Sequence, residues 1–564
     1  MKITLLAINA KYVHSSLAVW YLANGLAKYS GQCHDVNIVE ATINQDTNDI
    51  AGLVTCGKPD LVGISTYIWN AGKLPGLISG LRRHLPDVLI VLGGPEASHN
   101  AKYWLAGGAD YVIRGEGEHV FPAFLDLLDE SNPVHQSNER FQADASEPCR
   151  SLGKTWTLND ISGLCFYKDG ERISPQVKLP YEYISPYSRE YFQALGGRIT
   201  YIEASRGCPF SCAFCLSGGS GVRFFPLETV KEQINKLLGS CTKTIKFVDR
   251  TFNCNPERAY KIFEYVINLN TECCFHFEAA ADLFNEETLS LLSTSPPGRI
   301  QLEIGLQSFH KPSLDAVSRK TNLEKAEENI RKLLSHQNIH IHIDLIAGLP
   351  YETLPVFQDS FNRAFALEAH TLQLGFLKLI HGSKLREQAN TLGITYSKEP
   401  PYEIISSPWL GEKDLEILKF AENALQHTYN KGWFLSVLRY VLSVSGLTPF
   451  VFFYRLGKAA LSQATPLEKY ARQVYDYCSG LQNIDKNKLS DCMICDFLRM
   501  TKGKNMPGFL KSRGEKRKQA VRMANKQLGR VIDYDEAAVL SSGKGAYADS
   551  LSRDPVTGLY KLYW

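Results

Sequence analysis

The sequence predicts an α/β chain in three parts: a doubly wound parallel sheet, a run of βα units closing as a barrel or an incomplete one, and a mainly helical end. Three observations carry this. Residues 1–130 alternate short, continuous apolar runs with helical patterns. From Arg198 the alternation begins again, now with polar residues at or near the ends of the apolar runs. Beyond Pro400 the legible segments have helical spacing.

The first series is ITLLAIN (Ile3–Asn9), DVNIVEA (Asp35–Ala41), DLVGIST (Asp60–Thr66), VLIVLGG (Val88–Gly94) and DYVIRG (Asp110–Gly115). Helices are expected between them, for example over Leu17–Tyr29 and Gly72–His84. Strands apolar on both faces and separated by helices build a Rossmann-like sheet covered on both sides. Its ligands sit beyond the carboxyl ends of the strands. Those ends read NAKYVH, STY, GGPEAS and RGEGEH. Ser65 and Thr66 offer hydroxyls there, and the glycines let backbone approach a ligand closely. A polar, irregular linker follows from about Glu130 to Ile161, then a hairpin at LCFYKDGERIS with Asp169-Gly170 as its turn.

The second series is RITYIEAS, KTIKFVD, CFHFEAA, IQLEIGLQ, IHIDLIAGL and LQLGFLKL, with helices such as Glu228–Leu238, Pro256–Ile267 and Leu323–Ser335 between them. Six βα units give a barrel or an incomplete one. Polar residues mark the strand ends: Glu203, Asp249, Glu278, Gln307, Asp344 and Lys378. That rim is where βα barrels assemble their chemistry.

After the first of these strands comes SRGCPFSCAFC, with Cys208, Cys212 and Cys215 within eight residues. Thiolates are soft, charged ligands for zinc or iron–sulfur clusters. Structural zinc takes four closed ligands. The next cysteines, Cys241 and Cys254, lie on the following βα unit. Three thiolates on one loop suit three corners of a cubane cluster whose fourth iron stays open to substrate; zinc and inert buried thiols are the alternatives.

Composition sets the surroundings. A chain of 564 residues with 44% hydrophobic and 21% charged residues is ordinary globular protein, long enough for three or so domains of ~100–200 residues. A formal charge of +3 gives no bulk signal for nucleic acid. No apolar run approaches the ~18–20 residues of a membrane span. The amino-terminal stretch is too short for a secretory signal, and fourteen scattered cysteines do not form a secreted disulfide framework. A cytoplasmic protein with no membrane partner is expected.

The motif C-x3-C-x-F-C (Cys208, Cys212, Phe214, Cys215) at the end of a first barrel strand resembles that of the radical S-adenosylmethionine (radical SAM) enzymes. EIGLQSF resembles the segment in which a glutamine, here Gln307, reaches the methionine moiety of SAM. Arg319 matches an arginine that pairs with the SAM carboxylate, and Asp344 in DLIAGLPYET and Glu278 match the ribose contacts. The sheet ahead of the barrel resembles the cobalamin-binding domain of the cobalamin-dependent (class B) radical SAM proteins. The resemblance implies that Ser65, Thr66, Gly93, Gly94, Pro95 and Glu96 line the slot for the nucleotide tail, with Gly115 and Glu116 at the next strand end. The Asp-x-His-x-x-Gly segment that supplies an axial histidine in classical cobalamin mutases is missing, and His14 stands in a different context. The end of the chain resembles the uncharacterised extension of one subgroup.

The division this implies is a cobalamin-binding domain over 1–130, a linker with hairpin over 131–195, a partial (β/α)6 TIM-like barrel over 196–390 and a C-terminal domain over 391–564. The implied cofactors are a 4Fe-4S cluster, SAM and cobalamin, and the implied activity is methylation of an unactivated centre in a small molecule or peptide. Radical rearrangement or cyclisation is the first rival; a methylthiotransferase-like enzyme or a cobalamin sensor comes next. An electron donor such as flavodoxin or ferredoxin is the implied partner. Cys492 and Cys495 in DCMIC read as packing before metal ligands. The basic run from Lys502 to Arg530 reads as a solvated helix before a nucleic-acid contact.

Overall fold

Apolar runs that continue without interruption become strands buried on both faces at the centre of the first sheet, which has five parallel strands. They are β1 (Lys2–Asn9), β2 (Asp35–Thr42), β3 (Leu61–Ser65), β4 (Leu89–Gly93) and β5 (Tyr111–Ile113). They pair in parallel in the order β2-β1-β3-β4-β5. Every residue of β1 after Lys2 and every residue of β3 is buried. Ile3, Leu5 and Ala7 meet Val19, Trp20 and Phe121 on one face; Leu6 and Ile8 meet Ile50, Val54 and Leu77 on the other. Helices on both faces make the sheet doubly wound, as expected. The computed structural model describes residues 1–130, 158–167, 171–174, 183–219, 221–460, 466–511 and 515–564.

The hairpin read in the connecting segment is present and extends this sheet. β6 (Leu164–Tyr167) pairs antiparallel with β5, and β7 (Glu171–Arg172) with β6. The pair covers what would otherwise be the open edge of β5. Its Asp169-Gly170 turn and most of the expected linker lie outside the described residues.

The second sheet has six parallel strands: β8 (Thr200–Ile202), β11 (Thr244–Phe247), β12 (Cys274–Ala279), β13 (Ile300–Gln307), β14 (His340–Ala347) and β15 (Thr371–Phe376). They run in sequence order, and β8 and β15 end the row without pairing, so the barrel is partial. Between β8 and β11 the chain makes a ribbon that sequence reading did not anticipate, β9 (Ser205–Cys208) antiparallel to β10 (Gly221–Phe224). Along β13 and β14 buried residues alternate with half-buried ones. The half-buried set is Gln301, Glu303, Gly305 and Gln307 on β13, and His340, His342, Asp344 and Ile346 on β14. One face of this sheet therefore packs on helices while the other presents mostly polar side chains.

The last part begins with a short pair, β16 (Thr395–Tyr396) and β17 (Ile404–Ser406), followed by helices from Glu412 to Leu528. Cys495 is buried and Cys492 half-buried on the helix Lys486–Thr501. The chain does not end as helices alone. β18 (Ala537–Val539), β19 (Gly545–Arg553) and β20 (Tyr560–Tyr563) form an antiparallel sheet. Ala520 and Ala524 of the basic helix Glu515–Leu528 share a small core with Ala537 and Tyr547 of that sheet. Among the described residues no single helix is long and apolar enough to cross a membrane.

Candidate cluster and cofactor site

The cysteine loop is fastened before it turns. Asp249, past the end of β11, accepts from the Ala204 amide at 2.9 Å and the Ser205 hydroxyl at 2.5 Å. Burial pushes its carboxyl up to about 7. This rim residue thus serves the backbone of β9. Gly207, with φ of +97°, lets the chain pass from Arg206 to Cys208. Beyond Cys208, the Ala213 amide donates to the Val317 carbonyl and the Ala213 carbonyl accepts from the Leu385 amide, both at 2.8 Å. The Gly219 amide closes the loop onto Phe210 at 2.7 Å.

Cys208 and Cys212 are buried and Cys215 is half-buried. Burial raises the Cys212 thiol, and the proximity of Cys215 and Cys208 raises it further, while Arg319 acts the other way. Cys208 Sγ lies 3.5 Å from the Thr251 hydroxyl. Among the described residues, the group whose ligand atoms all fall within 4.8 Å of one another is Glu303, His342 and Asp344. The three thiols do not all fall within that distance of one another. Cys254 also comes near: burial raises its thiol, and Cys208 and Asp249 add to the rise.

Next to the thiols stand the residues expected to hold SAM. Gln307 ends β13 with φ of +70°, in the left-handed region uncommon for a residue with a side chain. The register between β13 and β14 slips there, and a Cβ on Gly305 would collide with Gln307 Nε2. Arg319 donates to the Gly305 carbonyl at 2.5 Å and stands 3.8 Å from Cys212 Sγ. Its Nε is buried without a hydrogen-bond partner. Asp344 lies 3.0 Å from His342 Nε2, yet neither that nitrogen nor Asp344 Oδ1 makes a well-directed hydrogen bond. Burial raises the Asp344 carboxyl, and Glu303 adds to this against the pull of His342.

Glu278 on β12 sits in register with Glu303 on β13. Burial pushes Glu278 up to about 7, with Arg250 opposing and Glu303 and Asp344 reinforcing. Glu303 takes a 3.0 Å hydrogen bond from His276 and falls to about 2. The structure thus gathers Gln307, Arg319, Asp344 and Glu278 around one mouth. It adds Glu303, His276 and His342, which sequence reading passed over although their alternation along CFHFEA, IQLEIG and HIHID places them on the same face. Lys378 lies exposed and pairs with the Glu403 segment.

At the carboxyl ends of the first sheet is a cavity of about 250 Å³, lined among others by Ser65, Gly93, Gly94, Gly115 and Glu116. Three residues expected in its wall are elsewhere. The Thr66 hydroxyl is taken up by the turn, donating to the Gly93 carbonyl and accepting from the Ala97 amide, both within 3 Å. Pro95 starts the helix Pro95–His99. Glu96 is buried on that helix, where it accepts from the Tyr402 hydroxyl at 2.6 Å. Gly94 lines the cavity and is also held by packing. Its φ is +96°, and a Cβ there would lie 2.6 Å from the Thr66 carbonyl oxygen. Close backbone packing fixes this glycine, whereas a Cβ on Gly93 would meet nothing nearer than 3.8 Å. His14 turns to the barrel, its Nδ1 2.5 Å from the Tyr201 hydroxyl. Burial lowers its pKa, with Lys246 and Lys11.

Comparison with known proteins finds three family models along the chain. The family model described as B12 binding domain matches residues 3–125, and Radical SAM superfamily matches 202–364. A family described as protein of unknown function (DUF4080) matches 390–542. The uncharacterized methyltransferase PH0819 of Pyrococcus horikoshii is 23% identical over 384 residues, 64% of this chain and 77% of the relative. Several other curated relatives are spanned over only 44–61% of their length. The radical SAM methyltransferase TsrM from Kitasatospora setae, solved with cobalamin and a [4Fe-4S] cluster, shares the fold. Its TM-score is 0.55 at 17% identity, covering 71% of this chain and 78% of that one. The cobalamin-dependent SAM radical enzyme OxsB, solved with aqua-cobalamin, has a TM-score of 0.58 at 12% identity, covering 88% and 79%.

Proposed function

We propose that this chain, whose residues 3–125 match the B12 binding domain and 202–364 the Radical SAM superfamily, is an enzyme that cleaves SAM reductively and methylates an unactivated centre of a small molecule or peptide. The observation that carries the reading is the mouth of the barrel. Three thiols on one loop face an arginine with a buried, unpartnered Nε, and two carboxyls raised by burial stand beyond it. The unpartnered Arg319 Nε and Asp344 Oδ1 fit parts of SAM, a carboxylate for Arg319 and a hydroxyl for Asp344, and Glu278 stands beside them as a further hydroxyl acceptor. Gln307, held in a strained backbone conformation, orients the methionine end. When bound, the cluster would supply the electron for SAM cleavage and cobalamin the methyl carrier.

Cys208, Cys212 and Cys215 would hold the iron as thiolates. Buried walls at Cys208 and Cys212 keep water from it. The cavity behind Gly93 would take the nucleotide tail, its glycines leaving the strand ends bare. The site needs an electron donor; a flavodoxin or ferredoxin of the reducing cytoplasm suits it. Support for that compartment comes from the cysteines, since every one among the described residues is free.

Anaerobic reconstitution with iron, sulfide, hydroxocobalamin, SAM and a reductant tests the reading. Four irons and one cobalamin per chain are expected, with 5′-deoxyadenosine and S-adenosylhomocysteine among the products by mass analysis. A protein that gains no iron chromophore, or forms 5′-deoxyadenosine but never S-adenosylhomocysteine with any acceptor, contradicts methyl transfer.

A further inference from the structure

Arg206 precedes Cys208 by two residues on β9, and its guanidinium leaves the ribbon toward the first sheet, where it lines the 250 Å³ cavity. It donates to Glu118 at 2.6 Å and to Glu203 at 2.9 and 3.0 Å, and lies 3.5 Å from Glu116. Arg223, its partner across the ribbon, forms a second ion pair with Glu116. The Tyr21 ring lies 5.1 Å beneath the guanidinium and the Phe225 ring 5.8 Å away. Burial works against charge on Arg206, but Glu203 and Glu118 more than offset it. One cation thus joins three carboxylates from two domains.

The connectivity has a direction at each end. Gly115, Glu116, Gly117 and Glu118 form the cavity wall after β5, so a ligand in the cavity fixes the two acids that grip Arg206. Arg206 in turn belongs to the strand that carries Cys208. On its other side that strand is tied to Asp249. We propose that Arg206 couples the two sites: a filled nucleotide-tail cavity and an assembled cysteine loop stabilise each other through this guanidinium. Coupling of this kind is reciprocal in binding free energy. The proposal rests on the assignment of the cavity to cobalamin made above, and it makes Arg206 a positioning residue.

The test is a visible-absorbance titration of the full chain with hydroxocobalamin, under anaerobic conditions, before and after cluster assembly. The assembled protein should bind at least about fivefold more tightly than the cluster-free protein, the low end of ordinary coupling. In Arg206→Met the two forms should bind alike, and Arg206→Lys should restore part of the ratio, because charge returns without the fork. Glu118→Gln should lower the ratio as well, and carries the test if Arg206→Met does not accumulate. A wild-type ratio of one overturns the coupling and leaves the proposed function standing. Absence of cobalamin uptake by both forms overturns both.

Discussion

The molecule contains two parallel sheets that treat their faces differently. In the first, β3 is buried throughout and β1 at every residue after Lys2; in the second, β13 and β14 alternate buried and half-buried residues. A sheet covered on both faces leaves a cavity only past its strand ends, at turns such as Gly93–Gly94 and Gly115–Glu116. A sheet rolled into a partial barrel keeps one face open, and titratable groups follow it inward: Glu278, Glu303, His342 and Asp344. Difference in curvature thus decides whether a site is made of backbone or of side chains.

The largest effect separates the loop from everything else. Cys212→Ala should abolish the iron chromophore and SAM cleavage entirely, measured by absorbance and product analysis. Cys492→Ala and Cys254→Ala should leave both intact, and loss of iron on replacing Cys254 would make it a ligand.

The backbone character of the first sheet is tested next. Gly94→Val should destabilise the protein by about 3 kcal/mol or more in chemical denaturation, from strain at a conformation reserved for glycine and collision with Thr66. Gly93→Val should change stability by less than about 1 kcal/mol while removing cobalamin uptake. If the two variants behave alike, the cavity and the turn are not separable.

In the barrel, Arg319→Ala should weaken SAM binding by roughly 1.5–3 kcal/mol, the scale of a charged hydrogen bond, with iron content unchanged by assay. Isothermal titration decides it.

The smallest effect is in pH. Glu278 is raised in the folded chain to about 7, so it is protonated there at pH values where the unfolded chain is ionised. Its contribution to stability is full below about 4.5 and is lost as pH rises through 7. Ribose hydroxyls prefer the ionised acceptor, so SAM affinity should climb toward a plateau above 7, by at most about tenfold per pH unit. Glu278→Gln should flatten both profiles; an unchanged affinity profile removes Glu278 from the ribose site.

The sequence made much of this legible because period and burial coincide. Continuous ITLLAIN and LVGIS became doubly covered strands, and alternating IQLEIGLQ became a lumen strand. The cysteine spacing was readable because one loop carries Cys208, Cys212 and Cys215. What escaped has a common cause, dependence on partners distant in the chain. The short β18–β20 strands pack Ala537 and Tyr547 against Ala520 and Ala524 of the preceding helix, a contact that strand periodicity alone does not reveal. Arg206 lies inside the cysteine motif, but its role required Glu116 and Glu118 to come from ninety residues earlier. Thr66 and Glu96 read as ligand-facing from their turn, and only packing against Gly93 and Tyr402 turns them to other work.

The Glu96–Tyr402 hydrogen bond spans 306 residues, and that span is also an interval in the life of the nascent chain. At about 5–20 residues per second, translation takes roughly 15–60 s to go from one partner to the other. Through that interval Glu96 has no Tyr402, and the helix it belongs to, directly behind the Gly93–Gly94 turn, is tethered only by its own domain. A chain ended before Tyr402 should therefore take up cobalamin faster than the finished protein, which stopped-flow mixing can compare.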